Sequence, residues 1–502
     1  MNLITLSFLC AFLFAGSGIS ESGAVIFPAP EGLSASEDYQ VTVDKQEVFC
    51  YPTWRFDRFD FVTNINNRPV SPLSYAVFDF SSPVSVELTL RAGLIASPDN
   101  VRILPSGTDV IPEVEGNIIR FHLKTPGHYT IDPNNDGLNA LHLFTSVPET
   151  DIPVPDDPDV IYFGPGVHDI DDIVLNNNQT LYLSGGAFLR PSPSPTTKIY
   201  KVLDLDYATT SPAIRIYGAT NVTIRGRGIL SGIRAYDDMR RFNLFRSTES
   251  SDVILEGIVL ADAPNWAVLC SKSKHVHINN LKVLGWFQNS DGICMSGSSD
   301  SLVENCFLHN ADDGLEIKAW SAVKNIEFKN SQVWADAGTP MGITAEIEAP
   351  VENVRWNGIT VIHYTAIPET FPDGRAAMMI HALSGGTVHN ILFENIVIES
   401  IIGTRPVIRV SNEKLTWNGL PKEVNTPYSS ISDITFRNVN AKHLNNPELS
   451  ARLHFVNDGG TGLIRHIALE NINIANNPLM QPDDERIRNI GSEVRVHFEQ
   501  EK

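Results

Sequence analysis

The sequence predicts an all-β protein, an antiparallel β-sandwich followed by a right-handed parallel β-helix. Three observations predict it. Gly (34), Pro (31) and numerous Asn-rich turns favour short strands and frequent corners over long helices. Residues 24–155 alternate polar and apolar side chains in short broken runs. Beyond residue 159 a β segment recurs with Asn or Gly at a fixed place.

At roughly 150 residues per domain, 502 residues bound the chain to a few domains. Asp and Glu outnumber Lys and Arg by 59 to 38, for a formal charge of −21. That balance argues against nucleic acid, which needs a basic footprint, and against anionic lipid. Hydrophobic residues at 42% with only 19% charged give an ordinary globular balance rather than a disordered one.

Residues 1–20 carry no charged side chain, and Leu3 to Phe14 is an almost unbroken apolar run ending in Ala15-Gly16-Ser17-Gly18. The run is too short to span a bilayer, so a signal peptide over 1–20 and a secreted or periplasmic protein are expected. A buried N-terminal strand is the alternative. No later stretch is long enough for a membrane span, and a monomer is expected.

The sandwich, over 24–155, rests on segments such as Val84-Ser85-Val86-Glu87-Leu88-Thr89-Leu90 and Ile118-Ile119-Arg120-Phe121-His122-Leu123. A Pro- and Asp-rich stretch, 148–158, reads as the linker. The β-helix, over 159–494, rests on an apolar-x-apolar-x-Asn/Gly motif. Its anchors are Gly226, Gly257, Asn280, Asn305, Asn330, Gly358, Asn395, Asn438 and Asn471. They step by 31, 23, 25, 25, 28, 37, 43 and 33 residues. A step near 25 suits one coil whose strands lie about 4.8 Å from those of the last. The Asn side chains are expected to stack as an internal ladder, and longer steps to carry loops.

The most informative stretch is Asn289-Ser290-Asp291-Gly292 followed by Asp312-Asp313-Gly314-Leu315-Glu316-Ile317-Lys318. Gly292 and Gly314 are 22 residues apart, so stacking them sets Asp291 beside Asp313. Carboxyls that close raise at least one pKa, which keeps a general acid protonated near neutral pH. Inverting glycoside hydrolysis needs that acid plus a carboxylate holding water, at roughly 6.5–9.5 Å; about 5 Å signals retention. The plainer readings are an Asp-Asp-Gly turn or a structural Ca²⁺ site.

Cys50, Cys270, Cys294 and Cys306 remain after the signal and lack paired CxxC spacing, so a structural zinc site is not expected. No catalytic metal or cofactor is expected. Equal offsets from Asn265 and Asn289 predict that Cys270 and Cys294 stack on adjacent coils. One disulfide is compatible with an oxidising compartment. Trp266, Trp286, Trp320 and Trp334 lie near the acidic coils, as sugar platforms or as core. Glu346 and Glu348 are subsite candidates, with a solvated strand face as the alternative. His309 reads as a hydrogen-bonded surface histidine.

The Asn-Ser-Asp-Gly and Asp-Asp-Gly pair resembles the Asn-Thr-Asp and Asp-Asp motifs of polygalacturonases, glycoside hydrolase family 28. Ala263-Pro264-Asn265-Trp266 is similar to the Pro-x-Trp segment of that family. An N-terminal sandwich, with Tyr162-Phe163-Gly164-Pro165-Gly166-Val167-His168 at the junction, resembles family 49, the dextranases and isopullulanases. The resemblance extends over Asp159 to Asn471 as a fold and is specific over Pro264 to Lys318. It implies a polysaccharide substrate, Asp312 as general acid, and Asp291 with Asp313 activating water. Polygalacturonases continue with Gly-His-Gly and Arg-Ile-Lys. Here the comparable positions read Gly338-Thr339-Pro340-Met341-Gly342 and Ala377-Met378-Met379-Ile380-His381. The missing basic clamp tilts the expected substrate from plain galacturonan to a dextran-like or other glycan. Lys318, Glu346, Trp320 and His381 are the expected substrate contacts, with ordinary strand residues as the alternative for Lys318 and His381. Competing readings are a pectin hydrolase, a polysaccharide lyase or epimerase, and a non-catalytic glycan-binding helix.

Overall fold

A computed structural model of the chain describes residues 23–56, 70–96, 98–192, 195–202, 205–235, 240–365, 375–403, 405–414, 427–444, 452–459, 463–481 and 483–497. The expected signal peptide lies outside them. Among the described residues the one helical element is a single 3₁₀ turn, Ile233–Ala235. No helix there is long and apolar enough to cross a membrane.

The N-terminal strands form two sheets. One orders Gln46–Val48, Tyr39–Val43, Val84–Leu90, Ile118–Leu123 and Glu113–Glu115, all antiparallel. Val84–Leu90 shows why it belongs there: Val84, Val86, Leu88 and Leu90 are buried while the intervening residues are not. The other sheet holds Ala24–Ile26, Cys50–Phe56, Val70–Phe80, Arg102–Leu104, His128–Asp132 and Leu141–Ser146. Its pairings are antiparallel except one, since Leu141–Ser146 runs parallel to Val70–Phe80. A single apolar core draws on both sheets, with Val41 and Leu88 from one and Phe78, Ile131 and Leu143 from the other.

From Val160–Phe163 to Val494–His497 two long sheets stack their strands in parallel, coil on coil, as a parallel β-helix; among the described residues the antiparallel pairings there are Pro195–Val202 with Leu205–Thr210 and Ile464–Ile474 with Asn477–Pro478. Three strands make a coil. Lys274–Asn279, Lys282–Gly285 and Ile293–Ser296, for example, each pair with their counterparts 23 to 25 residues earlier and 22 to 25 later. The nine anchors align one above another throughout this stack. Every one has positive φ, from Asn330 at 46° to Gly226 at 131°. That is the physical reason for Asn and Gly, since most other side chains carry a steric cost in the left-handed region. The Asn ladder faces solvent rather than the interior: Asn471 donates to Asn438 (3.1 Å) and Asn438 to Asn395 (3.0 Å) on the exposed side. The interior carries apolar stacks instead. Phe328, Trp356, Phe393 and Phe436 lie ring on ring at 5.2, 4.5 and 4.9 Å.

The sandwich packs against the outside of the coils through a second apolar cluster. Tyr51, Leu73, Tyr75 and Phe144 meet Phe188, Ile229, Leu284, Phe307 and Trp334 there. His309 belongs to this interface, contrary to the surface position expected. It is 2% exposed, hydrogen-bonded to His142 (3.0 Å) and Asp336 (3.1 Å), and stacked on Trp334.

Cys270 and Cys294 do not stack. The register pairs Cys270 with Met295 and Leu269 with Cys294, because this step of the sheet spans 25 residues where the Asn offsets implied 24. Cys270 joins the interior core, while Cys294 faces the other way, beside Glu316. All four described cysteines are buried free thiols. A reductant is therefore expected to leave the melting temperature unchanged in calorimetry, whereas a structural disulfide would typically contribute about 2–4 kcal/mol.

Candidate active site

The three acidic candidates come together on the sheet formed by Val268–Ser271, Ile293–Ser296, Leu315–Ala319 and Met341–Ile347. Val268 pairs with Ile293, Ile293 with Leu315 and Leu315 with Met341. Counting back two residues aligns Trp266, Asp291, Asp313 and Thr339 across four coils, as the glycine spacing predicted for Asp291 and Asp313. Backbone bonds fix this register just before the strands, from Ala267 N–H to Asp291 C=O (2.8 Å) and Gly292 N–H to Asp313 C=O (2.8 Å).

The turn carrying Asp312 and Asp313 is held from several sides. The buried Asn310 amide donates to the Asp312 carbonyl, and Ala311 N–H donates to Ser290 Oγ (3.3 Å). Asp313 Oδ1 accepts from Thr339 N–H (2.8 Å). Gly338 lies against the same turn, where a Cβ would collide with the backbone of Asp312 and Asp313. Glycine is required there for close approach rather than for its φ.

One carboxylate oxygen from each of Asp291, Asp312 and Asp313 lies within 4.8 Å of the others. These are contacts between single oxygens, shorter than the spacing of whole carboxyl groups by which inversion and retention are told apart. All three are buried. Arg375 is the counter-charge: its guanidinium meets Asp312 Oδ1 at 3.0 Å and pairs with Asp313 Oδ1. The carboxyls are consequently pushed apart in proton affinity. Burial raises Asp291 well above the usual carboxylate range, reinforced by Asp312 and Glu316. Burial also raises Asp312, against the opposing pull of Arg375. Burial would raise Asp313 too, but Arg375, Lys318 and the Thr339 N–H bring it below the usual value. One carboxylate and two more proton-retentive carboxyls therefore share the patch. Asp291 Oδ1 has no hydrogen-bond partner among the described residues. The arrangement argues against the Ca²⁺ reading, because a guanidinium already occupies the charge-compensating position between two of the three carboxylates.

The expected substrate contacts divide. Lys318 is buried, bonded to Glu346 (2.9 Å) and Thr344 (3.3 Å), with its ammonium 5.2 Å from the centre of the Trp266 ring. Glu346 is thus in the site, while Glu348 is exposed on the rim. Trp320 is 42% exposed and stacks nearly parallel on half-buried Trp266, centroids 5.8 Å apart. Trp286 and Trp334 are fully buried structural residues, whose indole N–H groups donate to Asp262 (2.8 Å) and Asp336 (2.9 Å). His381 is buried, its Nε2 2.9 Å from the Glu413 carbonyl, and burial lowers its pKa to about 4. It is a neutral ring beside the site.

Two functional groups escape sequence reasoning. Arg375 precedes by two residues the segment taken as lacking a basic clamp. Met341 pairs with Met378, so stepping back three residues would have set Arg375 beside Gly338, hence beside Asp312. Glu316 stacks on Cys294, accepts from Thr344 Oγ1 (2.9 Å) and lies 3.3 Å from Lys318; burial raises its pKa to about 7. Its place in the Asp-Asp-Gly-Leu-Glu run was visible, but alternation along the strand was the only signal that it shares the acidic face.

A set of close, buried carboxyls, pushed apart in proton affinity, lies on one sheet of a parallel β-helix. The sequence match is more particular: residues 231–475, which include the whole acidic patch and Arg375, match the family model of glycosyl hydrolases family 28. No curated protein matches the chain by sequence. Dex49A from Penicillium minioluteum shares the fold with TM-score 0.65 and 14% identity, over 95% of this chain and 97% of that one. The hyperthermoactive exopolygalacturonase from Thermotoga maritima aligns with TM-score 0.48 and 16% identity, over 63% and 79%. The polygalacturonase from Erwinia carotovora ssp. carotovora aligns with TM-score 0.44 and 16% identity, over 66% and 86%.

Proposed function

We propose that the protein is a secreted glycoside hydrolase of a dextran-like or other polysaccharide. A signal peptide at 1–20, a sandwich at 24–155 and a right-handed catalytic β-helix at 159–494 make up this reading. Asp312 protonates the leaving glycosidic oxygen, and Asp313 with Asp291 holds and deprotonates water. The observation carrying it is the split in proton affinity across one patch, with Arg375 joining the acid to the base. Asp291 takes the protonated half of the water-holding pair, its burial favouring a shared proton over a second charge.

The ties on Asp313 favour a water-holding base over a nucleophile, since an oxygen already holding Arg375 and the Thr339 N–H attacks poorly. Water attack with inversion is the reading proposed, and the anomer formed first, followed by proton NMR, decides it. A reducing-end screen over dextran, other neutral glucans and galacturonan tests the substrate class. Unsaturated, ultraviolet-absorbing ends would replace hydrolysis by lyase chemistry, and cleavage of galacturonan alone would overturn the neutral-glycan assignment.

The Trp266–Trp320 pair serves as a platform for a sugar ring. Trp320→Ala is expected to raise KM about fivefold with kcat nearly unchanged, matching a stacking contribution of about 1 kcal/mol. Steady-state kinetics on the polysaccharide checks it.

A further inference from the structure

The sandwich reaches the catalytic turn itself. Its strand Cys50–Phe56 ends with Phe56 buried against Ala311 and Ala337 in a separate three-residue apolar cluster. Ala311 immediately precedes Asp312, and Ala337 precedes the Gly338 on which Asp312 and Asp313 rest. The two coil segments are bonded to each other at this point. Asp336 N–H donates to the Asn310 carbonyl (3.0 Å), and Ala337 and Gly338 N–H both donate to the Ala311 carbonyl (3.2 and 3.0 Å).

Below them lies a buried carboxylate facing the sandwich. Asp336 accepts from Phe56 N–H (2.9 Å), from Trp334 Nε1–H (2.9 Å) and from His309 Nε2 (3.1 Å). His309 in turn meets His142 (3.0 Å), and His142 meets Thr130 (2.8 Å), both on sandwich strands. A hydrogen-bonded chain thus runs from the interior of one unit to the coil beneath the acidic turn.

We infer that the sandwich is part of the catalytic scaffold, with Phe56 and Asp336 as positioning residues that fix the Ala311–Gly314 turn. The inference rests on the functional reading above for its catalytic consequence. The general acid must meet a leaving oxygen at hydrogen-bond distance, and a displacement of about 1 Å can cost roughly a hundredfold. The two alanines leave room for the Phe56 ring, and the ring in turn blocks the turn from relaxing away from the substrate side.

The test uses the full-length protein with Phe56→Ala, Asp336→Asn and the volume-conserving Phe56→Met. Amide hydrogen exchange read by mass spectrometry over residues 311–314 requires no substrate. Phe56→Ala and Asp336→Asn are expected to speed exchange there at least tenfold, leaving the distant strand Ser430–Leu444 unchanged; Phe56→Met should restore protection. On dextran the first two variants should lose about tenfold in kcat with KM within twofold, and lose less on a nitrophenyl glycoside of the same sugar. Unchanged exchange in a folded variant overturns the inference. So does equal loss on both substrates, or uniform loosening of all coils, which would mark plain destabilisation. Should Phe56→Ala not fold, the same readouts on Asp336→Asn and Phe56→Met decide. Asp312→Asn in the same assays separates the two ideas: if it stays active, the functional reading fails whatever the turn does.

Discussion

Asp312→Asn is expected to reduce turnover on the natural polysaccharide by about 10²–10⁴-fold, the usual contribution of a general acid. Asn preserves the shape of the turn, and the Asn310 bond to the residue-312 carbonyl is a backbone contact that the substitution leaves alone. Binding should therefore survive. An activated leaving group departs without much protonation, so the loss should shrink on a nitrophenyl glycoside. Asp313→Asn and Asp291→Asn should impair both substrates, because water must be activated in either case. Near-normal turnover by Asp312→Asn on the natural glycan would remove the catalytic assignment and leave the turn as a structural feature.

Arg375→Met should produce a loss of similar order, about 10²–10³-fold near neutral pH, as when one preorganised charge partner is removed from an active site. The change also has a direction in pH. Arg375 pulls down both Asp312 and Asp313. Without it both carboxyls hold their protons to higher pH, so both limbs of the bell-shaped rate profile move in the alkaline direction. The stability consequence has a definite sign as well. Asp313 is depressed in the folded protein, so it contributes stability above its ordinary pKa, lost as pH falls through the lower folded value. In Arg375→Met that contribution disappears, and the variant should denature at higher pH than the parent in an acid titration. A profile unchanged in both limbs would show that Arg375 does not set the ionisation of the patch.

The ladder of anchors was legible because its geometry demands particular residues. Left-handed backbone admits Asn and Gly most readily, so the fold wrote itself into the sequence at regular steps. A second ladder stands at the start of the same strands and was not legible. Asn221, Asp252, His275, Asp300, Asn325, Asn353, Asn390, Asp433 and His466 all have positive φ and stack coil by coil. Its residues vary because local hydrogen bonds, such as Asn353 to Asn325 (3.0 Å) and His466 to Asp433 (3.0 Å), stabilise the conformation by different chemistry.

The acidic patch was legible for a different reason: Gly292 and Gly314, where a Cβ would meet the backbone of the next coil, set the register directly. Arg375 was not, because it approaches from a 37-residue step, where counting from the anchors no longer locates a side chain. The cysteines show the limit of such counting on a finer scale. One residue taken up between Asn289 and the next strand reverses the face of Cys294 while leaving the fold intact.

In chain order, the sandwich side of the interface between the two units precedes the coil side. Tyr51, Leu73, Tyr75 and Phe144 leave the ribosome before any coil exists to cover them. Successive coils then each deliver an apolar residue to that waiting face: Phe188, Ile229, Val259, Leu284, Phe307, Trp334 and Ile362. Each of these residues covers part of that patch, so in a chain that folds as it is made the sandwich can template the solenoid from its N-terminal end. A chain released before Ile362 would expose an incompletely covered aromatic surface, the condition in which partly folded proteins aggregate.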